Sequence, residues 1–386
     1  MSQLASETLT LVDSGVIYRN PLPGHQAVSV AFPFICPLSD QELLATCKCG
    51  QAMYAADNMV HLMRSQDGGR TWCHEGPVRD RRQDERPYQY SSGQITRLRD
   101  GSLVLNNWRC DRSDPAKLYM NPKSGGHLPR EAFFVRSTDG GRTWGTPTIG
   151  QLPSPGAGLE HAIGGPVIEL ADGRWLQLSE TWNSYDGPSD FVQETYALFS
   201  ADEGRTWGDR VPIANGLEDD RSYTHGHIVS LPDGRLFCML WTGDSKMQEF
   251  FDLHYVISTD GTGQQWTRPQ PTGIPGQSSY PVALNDGRIF VIYTQRDSSD
   301  QPGIKLVLSP DGGRTWNLDR PLVLWDAYGK EALGVPPTDT YPASHDAIAY
   351  GQPHLAAIDD HTLIASWWCT QSADTHSRFA LIRIDE

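Results

Sequence analysis

Short apolar runs separated by polar turns extend along the whole chain. The recurring pattern is an apolar run, an Asp-Gly type of turn and a second apolar run, as in VIELADGRWLQL and IVSLPDGRLFCML. Because such a turn between β-rich segments is a hairpin signal, each copy predicts two antiparallel strands. The pattern recurs six times, with turns centred on Asp40, Asp100, Asp172, Asp233, Asp286 and Asp359. No segment has the period of a long amphipathic helix.

A second phrase, Ser-x-Asp-Gly-Gly-x-Thr-Trp, recurs between these hairpins. Its five copies, one of them stretched, occupy residues 65–72, 137–144, 200–207, 258–266 and 309–316. We expect its Ser and Asp side chains to bond nearby backbone groups, its glycines to adopt positive φ and its Trp to fill apolar space. The phrase therefore predicts a folding device and not a catalytic motif.

Together the two phrases predict units of four strands. Six such units arranged radially form an all-β, six-bladed β-propeller, in which few strand edges stay open. The last unit lacks an outer strand, and the strand-like residues 9–18 can supply it and close the ring. We therefore predict one domain over residues 1–386, with approximate blades at 21–80, 81–155, 156–218, 219–272, 273–325 and 340–386 plus 9–18.

Composition narrows the possible partners and locations. The 37 glycines and 27 prolines suit a turn-rich β protein, and the net charge of −15 argues against nucleic acid or an anionic membrane as partner. The chain as written has neither a signal-peptide pattern nor an apolar run of about 18 residues, which predicts a cytoplasmic protein without a membrane partner. The seven cysteines are expected to be reduced thiols, and neither a metal nor a cofactor is expected. The sequence does not indicate an oligomeric state.

Aromatic residues recur near the end of the second strand of several blades, where loops form the channel mouth. They are Trp108, Trp241 and Trp367. Flat aromatic faces bind sugar rings, so we interpret them as a saccharide platform; the alternative is that they fill space between blades. In the third blade Glu180 takes this register, with Trp182 nearby. A carboxylate among aromatic rings is a candidate general acid, and the alternative is a solvated surface group.

The segments that open the inner strands supply the remaining candidates. Glu160 in such a segment, and Asp57 in the following loop of the first blade, are the candidate partners for Glu180, and His225 is a candidate acid–base residue. Metal binding by His225 and His227 is disfavoured, since alternate strand residues lie about 7 Å apart and no third ligand follows from the sequence. Further candidate substrate-binding residues are Arg109, His161, Arg221, Tyr223 and His345.

The Ser-x-Asp-Gly-Gly-x-Thr-Trp phrase is the Asp-box, and with the interleaved hairpins the chain resembles the sialidase superfamily of six-bladed propellers. This resemblance covers residues 28–384. It is specific for the fold and much less specific for the activity. Sialidases bind the substrate carboxylate with three arginines, attack with a Tyr assisted by a Glu, and use an Asp as acid/base. The resemblance implies Tyr280 as nucleophile, Asp57 as acid/base and Arg296 as one of the arginines.

Three positions depart from that pattern. The segment AFPFI at residues 31–35 lacks the first arginine, and His225 stands where the assisting Glu is usual. The second arginine aligns with Trp241 or Thr242. Because Trp cannot replace a bidentate arginine, the sequence predicts a sialidase-like fold with a rebuilt pocket.

Three functional hypotheses follow. The first is a glycoside hydrolase that acts on a small saccharide, with Glu180 paired to Glu160 or Asp57. The second is β-elimination of a uronate, with His225 or His161 and Tyr223 as base and acid and Arg221 against the substrate carboxylate. The third is a propeller that binds carbohydrate without chemistry.

Overall fold

The strands form six antiparallel sheets, so the predicted all-β, six-bladed β-propeller is confirmed. The computed structural model describes residues 8–187, 193–216, 219–247, 249–296, 301–327, 349–372 and 374–385. Five sheets have four strands, and the second has five because β6 and β7 both pair with β8. Within the described residues, no helix is long and apolar enough to cross a membrane.

The strands follow the chain from the inner to the outer edge of each blade. Blades one to three comprise β2 (Ser29–Pro37), β3 (Leu43–Gly50), β4 (Met59–Ser65) and β5 (Cys73–Pro77); β6 (Tyr88–Tyr90), β7 (Gln94–Arg97), β8 (Leu103–Asp111), β9 (Glu131–Ser137) and β10 (Thr148–Ile149); and β11 (Leu159–Glu169), β12 (Trp175–Asn183), β13 (Thr195–Ser200) and β14 (Gly208–Ala214). Blades four to six comprise β15 (Arg221–Ser230), β16 (Leu236–Asp244), β17 (His254–Ile257) and β18 (Gln270–Pro271); β19 (Ser279–Ala283), β20 (Ile289–Gln295), β21 (Gly303–Ser309) and β22 (Leu322–Asp326); and β23 (Tyr350–Asp359), β24 (Thr362–Gln371), β25 (Asp374–Asp385) and β1 (Thr8–Tyr18).

The ring closes through the N-terminal strand, as the sequence predicts. β1 pairs antiparallel with β25, from Thr8 opposite Asp385 to Tyr18 opposite Ser377. Directly after β1, the Arg19 guanidinium forms an ion pair with the buried Asp374 carboxylate at 2.5 Å. The outermost strand of the last blade is therefore contributed by the opposite end of the chain.

The second strand of each blade is buried on both faces because a neighbouring blade covers each side. Every residue of β12 is buried, and β16 is buried from Leu236 to Gly243. These strands consequently appear in the sequence as nearly continuous apolar runs, without the alternation of a half-exposed strand.

The Asp-boxes act as spacers between blades. In the first box the Ser65 hydroxyl accepts from the Gly69 N–H at 2.8 Å, and the Trp72 indole donates to the Gly69 carbonyl at 3.0 Å. Gly69 has φ of 90°, and an added Cβ would lie 2.5 Å from Cδ1 of Ile364 in the sixth blade. A side chain here would both strain the turn and push two blades apart. The structure thus supports the folding role that the sequence predicts for this phrase.

The Asp-box carboxylates make stability sensitive to acid. In the third box the Thr206 hydroxyl and backbone N–H donate to Asp202 at 2.6 and 2.9 Å, and these bonds lower the pKa of Asp202 to about 2. Because the unfolded carboxyl has a pKa of about 3.9, this stabilisation is complete above that pH and is lost as the pH falls through the folded value.

We expect Asp202→Asn to lower the melting temperature at neutral pH and to flatten its decline on acidification from about pH 5 to about pH 2. Thermal unfolding across that range measures both effects. Asp360→Asn is the control, since Asp360 is exposed in a hairpin turn. Curves for Asp202→Asn and the unchanged protein that differ by a constant offset would contradict the assignment.

Candidate functional site

A cavity of about 160 Å³ lies on the propeller axis, where the inner strands of all six blades meet. Strand-end and loop residues on the same side complete its wall. Each blade contributes a titratable or basic side chain, which in blade order are Lys48, Arg130, Glu180, His225, Tyr280 and His354. This convergence makes the cavity the candidate site.

Bulges in the inner strands aim their side chains into the cavity. Phe32 in β2, His225 in β15 and Gln352 in β23 have φ of 53°, 47° and 40°. The pairing register shifts at each of these places. Left-handed backbone at a non-glycine residue costs on the order of 1–3 kcal/mol and persists only where the surroundings enforce it. The repeated distortion marks this end of the channel as specialised.

Glu180 is the carboxylate of the cavity. Its side chain, at the end of β12, is 3% exposed. Oε2 accepts from the Thr224 hydroxyl at 2.9 Å, the Gln193 amide at 3.2 Å and the Trp182 indole at 3.4 Å. Oε1 accepts from the Gly226 backbone N–H at 3.2 Å. Both oxygens thus act as acceptors, which suits a base or a stabiliser of positive charge.

His225 lies beside Glu180 and is half-buried. Its ring packs against Trp241 with centroids 5.3 Å apart. Burial lowers the pKa of His225, and the nearby Glu180 carboxylate partly offsets the shift. A neutral imidazole that faces the cavity can accept a proton at neutral pH.

A second group of rings adjoins His225. The Tyr280 ring lies 4.7 Å from His227 and 4.3 Å from His354, centroid to centroid. Burial, followed by the effect of His225, lowers the pKa of His227 to about 3, and burial holds that of His354 well below its usual range. Burial also raises the pKa of Tyr280, so this hydroxyl keeps its proton at neutral pH.

An aromatic wall rises on the side of the first two blades. Tyr119 is stacked on Trp108 at 5.2 Å and on Tyr54 at 5.0 Å. The Arg130 guanidinium lies 4.9 Å from the Trp108 ring centroid and donates to the Tyr119 hydroxyl at 2.6 Å. Such a wall offers apolar faces and polar edges together, as saccharide recognition requires.

The structure brings some of the predicted site residues to the cavity and places others elsewhere. Those that line it are Trp108, Glu180, Trp182, His225 and Tyr280. Those that do not are Asp57, Arg109, Glu160, His161, Arg221, Tyr223, Trp241, Arg296 and Trp367. His345 lies outside the described residues.

The two carboxylates considered as partners of Glu180 are engaged outside the lining. Asp57 accepts from the Gln51 backbone N–H at 3.1 Å and shapes its own loop. Glu160 accepts from the Arg130 backbone N–H at 3.4 Å, and burial raises the pKa of Glu160. Among the described lining residues, Glu180 is therefore the sole carboxylate.

The predicted arginines have partners within the protein. Arg109 is paired with Glu85 and Glu131. Arg221 lies over the Phe251 ring at 3.5 Å. Arg296 bonds Gln277 and the Tyr350 carbonyl. None of the three extends into the cavity.

The other predicted rings belong to the packing between elements. His161 donates to or accepts from Tyr196 and contacts the Pro153 carbonyl at 2.6 Å. Tyr223 is in the core beside His254, with centroids 5.7 Å apart. Trp367 is fully buried in a core cluster, so its ring fills space inside the propeller, which was the alternative weighed for it.

The sequence places Lys48 among the groups near the channel mouth of the first blade but gives it no chemical role, and it does not indicate Arg130. Lys48 is a lone charge in the apolar strand LLATCKCG, a pattern that could have indicated it. Arg130 follows a long connection between β8 and β9, so no local pattern indicates its position. In the described part of the chain, no group of three His, Cys, Asp or Glu residues could hold a metal ion.

Comparison with known proteins places this architecture in a family. Residues 41–344 match the family described as a BNR repeat-like domain. A sialidase of Micromonospora viridifaciens is 24% identical over 291 residues, or 68% of this chain, and the chain covers 41% of that protein's length.

Two solved structures are similar over nearly their whole length. A Dyadobacter fermentans protein of unknown function has a TM-score of 0.72 at 20% identity, covering 97% of this chain and 99% of that one. A Penicillium chrysogenum α-L-arabinanase, solved with arabinobiose, has a TM-score of 0.64 at 16% identity, covering 97% and 98%. At such identities the likeness shows a shared fold. Since the family match spans most of its length, the chain belongs to the family of proteins with a BNR repeat-like domain.

Proposed function

We propose that this protein is a glycoside hydrolase that cleaves a small saccharide in the central cavity, with Glu180 as the reacting carboxylate. The observation that carries the proposal is the burial of Glu180, 3% exposed and held by four donors, in a cavity built by six blades. A glutamate is almost never this buried unless its carboxylate has partners, and here the carboxylate also lines a cavity.

The neighbouring groups suit the remaining steps. Positive charge develops on the sugar ring in the transition state of glycoside hydrolysis, and the Glu180 carboxylate is placed to stabilise it. His225 is a neutral proton acceptor for the attacking water, and Tyr280 retains a proton that it can donate to the leaving oxygen. Water thereby supplies a hydroxyl to the sugar carbon and a proton to His225, and transfer of a proton from His225 to Tyr280 restores both groups for the next turnover.

The relatives add support of a general kind. The Micromonospora protein is named a sialidase, and the Penicillium structure is an arabinanase with a bound disaccharide. Both names are those of enzymes that cleave glycosidic bonds, and the Penicillium structure has a similar fold. Uronate elimination has less support, because Arg221 and Tyr223 lie outside the cavity lining.

A product analysis tests the proposal. The purified protein is incubated with aryl glycosides and oligosaccharides, including sialosides, arabinosides and uronate-containing glycans, and the product masses are measured. We expect fragments whose summed mass exceeds the substrate by one water. Unsaturated products that absorb in the near ultraviolet would establish elimination instead, and unchanged masses with saccharide binding would establish a binding propeller.

Removal of one donor to Glu180 gives a graded prediction. Thr224→Val keeps the shape but deletes the 2.9 Å hydrogen bond to Oε2, so we expect kcat to fall about tenfold with KM little changed. Thr195→Val is the matched control: Thr195 lies opposite Glu180 on the neighbouring strand β13, but its buried hydroxyl donates to the Tyr223 carbonyl and, among the described residues, makes no hydrogen bond to the Glu180 carboxylate. Equal kcat values for the two variants would argue against a role for that bond.

A further inference from the structure

Lys48 is a buried lysine that has no acidic partner among the described residues. Its side chain is 2% exposed, and in the described residues its ammonium group makes neither an ion pair nor a hydrogen bond. Lysine is almost never this buried unless its charge is compensated. A second lysine that is buried in the described residues, Lys305, has a hydrogen-bond partner, since its Nζ donates to Gln295 at 2.8 Å.

Aromatic rings form the immediate surroundings of Lys48. Its Nζ lies 4.1 Å from the Phe32 ring centroid and 4.3 Å from that of Tyr54. Cation–π contacts of this kind orient an ammonium group but compensate only part of its desolvation. Burial accordingly lowers the pKa of Lys48 well below its usual range.

The side chain of Lys48 forms part of the cavity wall. It lies on β3 directly opposite Ala31 of β2, and both Lys48 and the neighbouring Phe32 belong to the lining. Arg130 is a second cation of the wall, and Glu180 is the one carboxylate among the described lining residues. In a chain whose net charge is −15, this wall therefore carries an excess of basic groups.

The two terminal nitrogens of Arg130 already make hydrogen bonds, whereas the Lys48 ammonium group makes none in the described residues. The Arg130 guanidinium donates to the Tyr119 hydroxyl at 2.6 Å and to the His161 carbonyl at 3.3 Å. It therefore supports the aromatic wall and adds positive potential. Lys48 retains its whole donor capacity for a ligand.

We propose that Lys48 binds an anionic substituent, a carboxylate or sulfate group, on the saccharide that enters the cavity. This inference rests on the proposed function for the location of the saccharide but not for its cleavage. An anion at Nζ would supply the missing partner and leave the sugar ring between the aromatic wall and Glu180. The protein would then select acidic saccharides over neutral ones of the same size.

Calorimetric titration with simple sugars tests this inference without requiring turnover. The probes are D-glucuronate and galactose 6-sulfate, each paired with its neutral counterpart, D-glucose or D-galactose. We expect the protein to bind at least one acidic probe more tightly than its neutral counterpart, and the comparison between probes identifies the preferred anion.

Substitutions at Lys48 test whether this residue causes the preference for the acidic probe. Lys48→Met is expected to weaken binding of the preferred acidic probe at least about tenfold and to leave neutral binding unchanged. Lys305→Met, which removes a buried lysine outside the cavity, is expected to change neither. Lys48→Gln provides a second neutral side chain if the methionine variant folds poorly.

The inference is overturned if the acidic probes bind no better than the neutral ones, including the case in which no binding is detected. It is also overturned if folded Lys48→Met or Lys48→Gln retains the full preference. Lys48-dependent binding without hydrolysis of any substrate would contradict only the proposed function. Hydrolysis confined to neutral saccharides and unaffected by Lys48→Met would contradict only this inference.

Discussion

Replacement of Glu180 by Gln is expected to lower kcat by about three orders of magnitude while the protein stays folded. The change keeps the shape of the side chain but removes the negative charge that would stabilise the transition state. It also replaces one acceptor oxygen with an amide NH₂. This NH₂ would face a donor, either the Gly226 N–H that now bonds Oε1 or the Trp182 indole that now bonds Oε2. Steady-state kinetics on the substrate identified by product analysis, together with the melting temperature, measures the two effects separately.

Glu160→Gln is the matched control for this variant. Glu160 lies on β11, adjacent to β12, and its carboxyl is partly buried, but it does not line the cavity. We expect its replacement to change kcat less than about threefold. A large loss of activity in Glu160→Gln, with Glu180→Gln still active, would reverse the assignment of the reacting carboxylate.

Deletion of residues 1–18 is expected to destabilise the whole ring. It removes β1, exposes the backbone edge of β25, and uncovers core contacts of Ile17 and Leu9. Full burial of such a side chain contributes about 1.5–3 kcal/mol, and Ile17 is buried whereas Leu9 is partly buried, so the free energy of unfolding should fall by about 2–5 kcal/mol. The unpaired edge should also promote association between chains.

Denaturant unfolding and size-exclusion chromatography measure these outcomes. The control is deletion of residues 1–7, which precede β1. If both deletions give the same unfolding free energy and the same elution volume, closure by β1 does not contribute to stability.

The sequence predicts the fold well because the propeller repeats its local signals. Each Asp-Gly turn and each Asp-box is a short-range pattern whose geometry follows from a few neighbouring residues. The closing strand is predicted by counting strands, since the sixth unit has only three and residues 9–18 have the pattern of a fourth.

The candidate site is less predictable because it depends on side-chain direction across blades. Glu180 and Trp367 each follow the Asp of their hairpin turn by eight residues, yet Glu180 lines the cavity and Trp367 lies in the core. Because successive strand residues point to opposite faces, the same count along the sequence does not fix the direction of a side chain. The bulges at Phe32 and His225 change the register within the inner strands, and the sequence does not indicate them. Arg130 reaches the site from a long loop, so its contacts are non-local.

The central claim is that a saccharide is bound and cleaved between the aromatic wall and Glu180. A crystal structure of the Glu180→Gln variant with a substrate that the unchanged protein hydrolyses tests it most directly. We expect the sugar in the central cavity, with its scissile oxygen beside residue 180 and one ring face against Trp108 or Trp182. A substrate bound at any other place, with the cavity filled by water alone, would contradict the account.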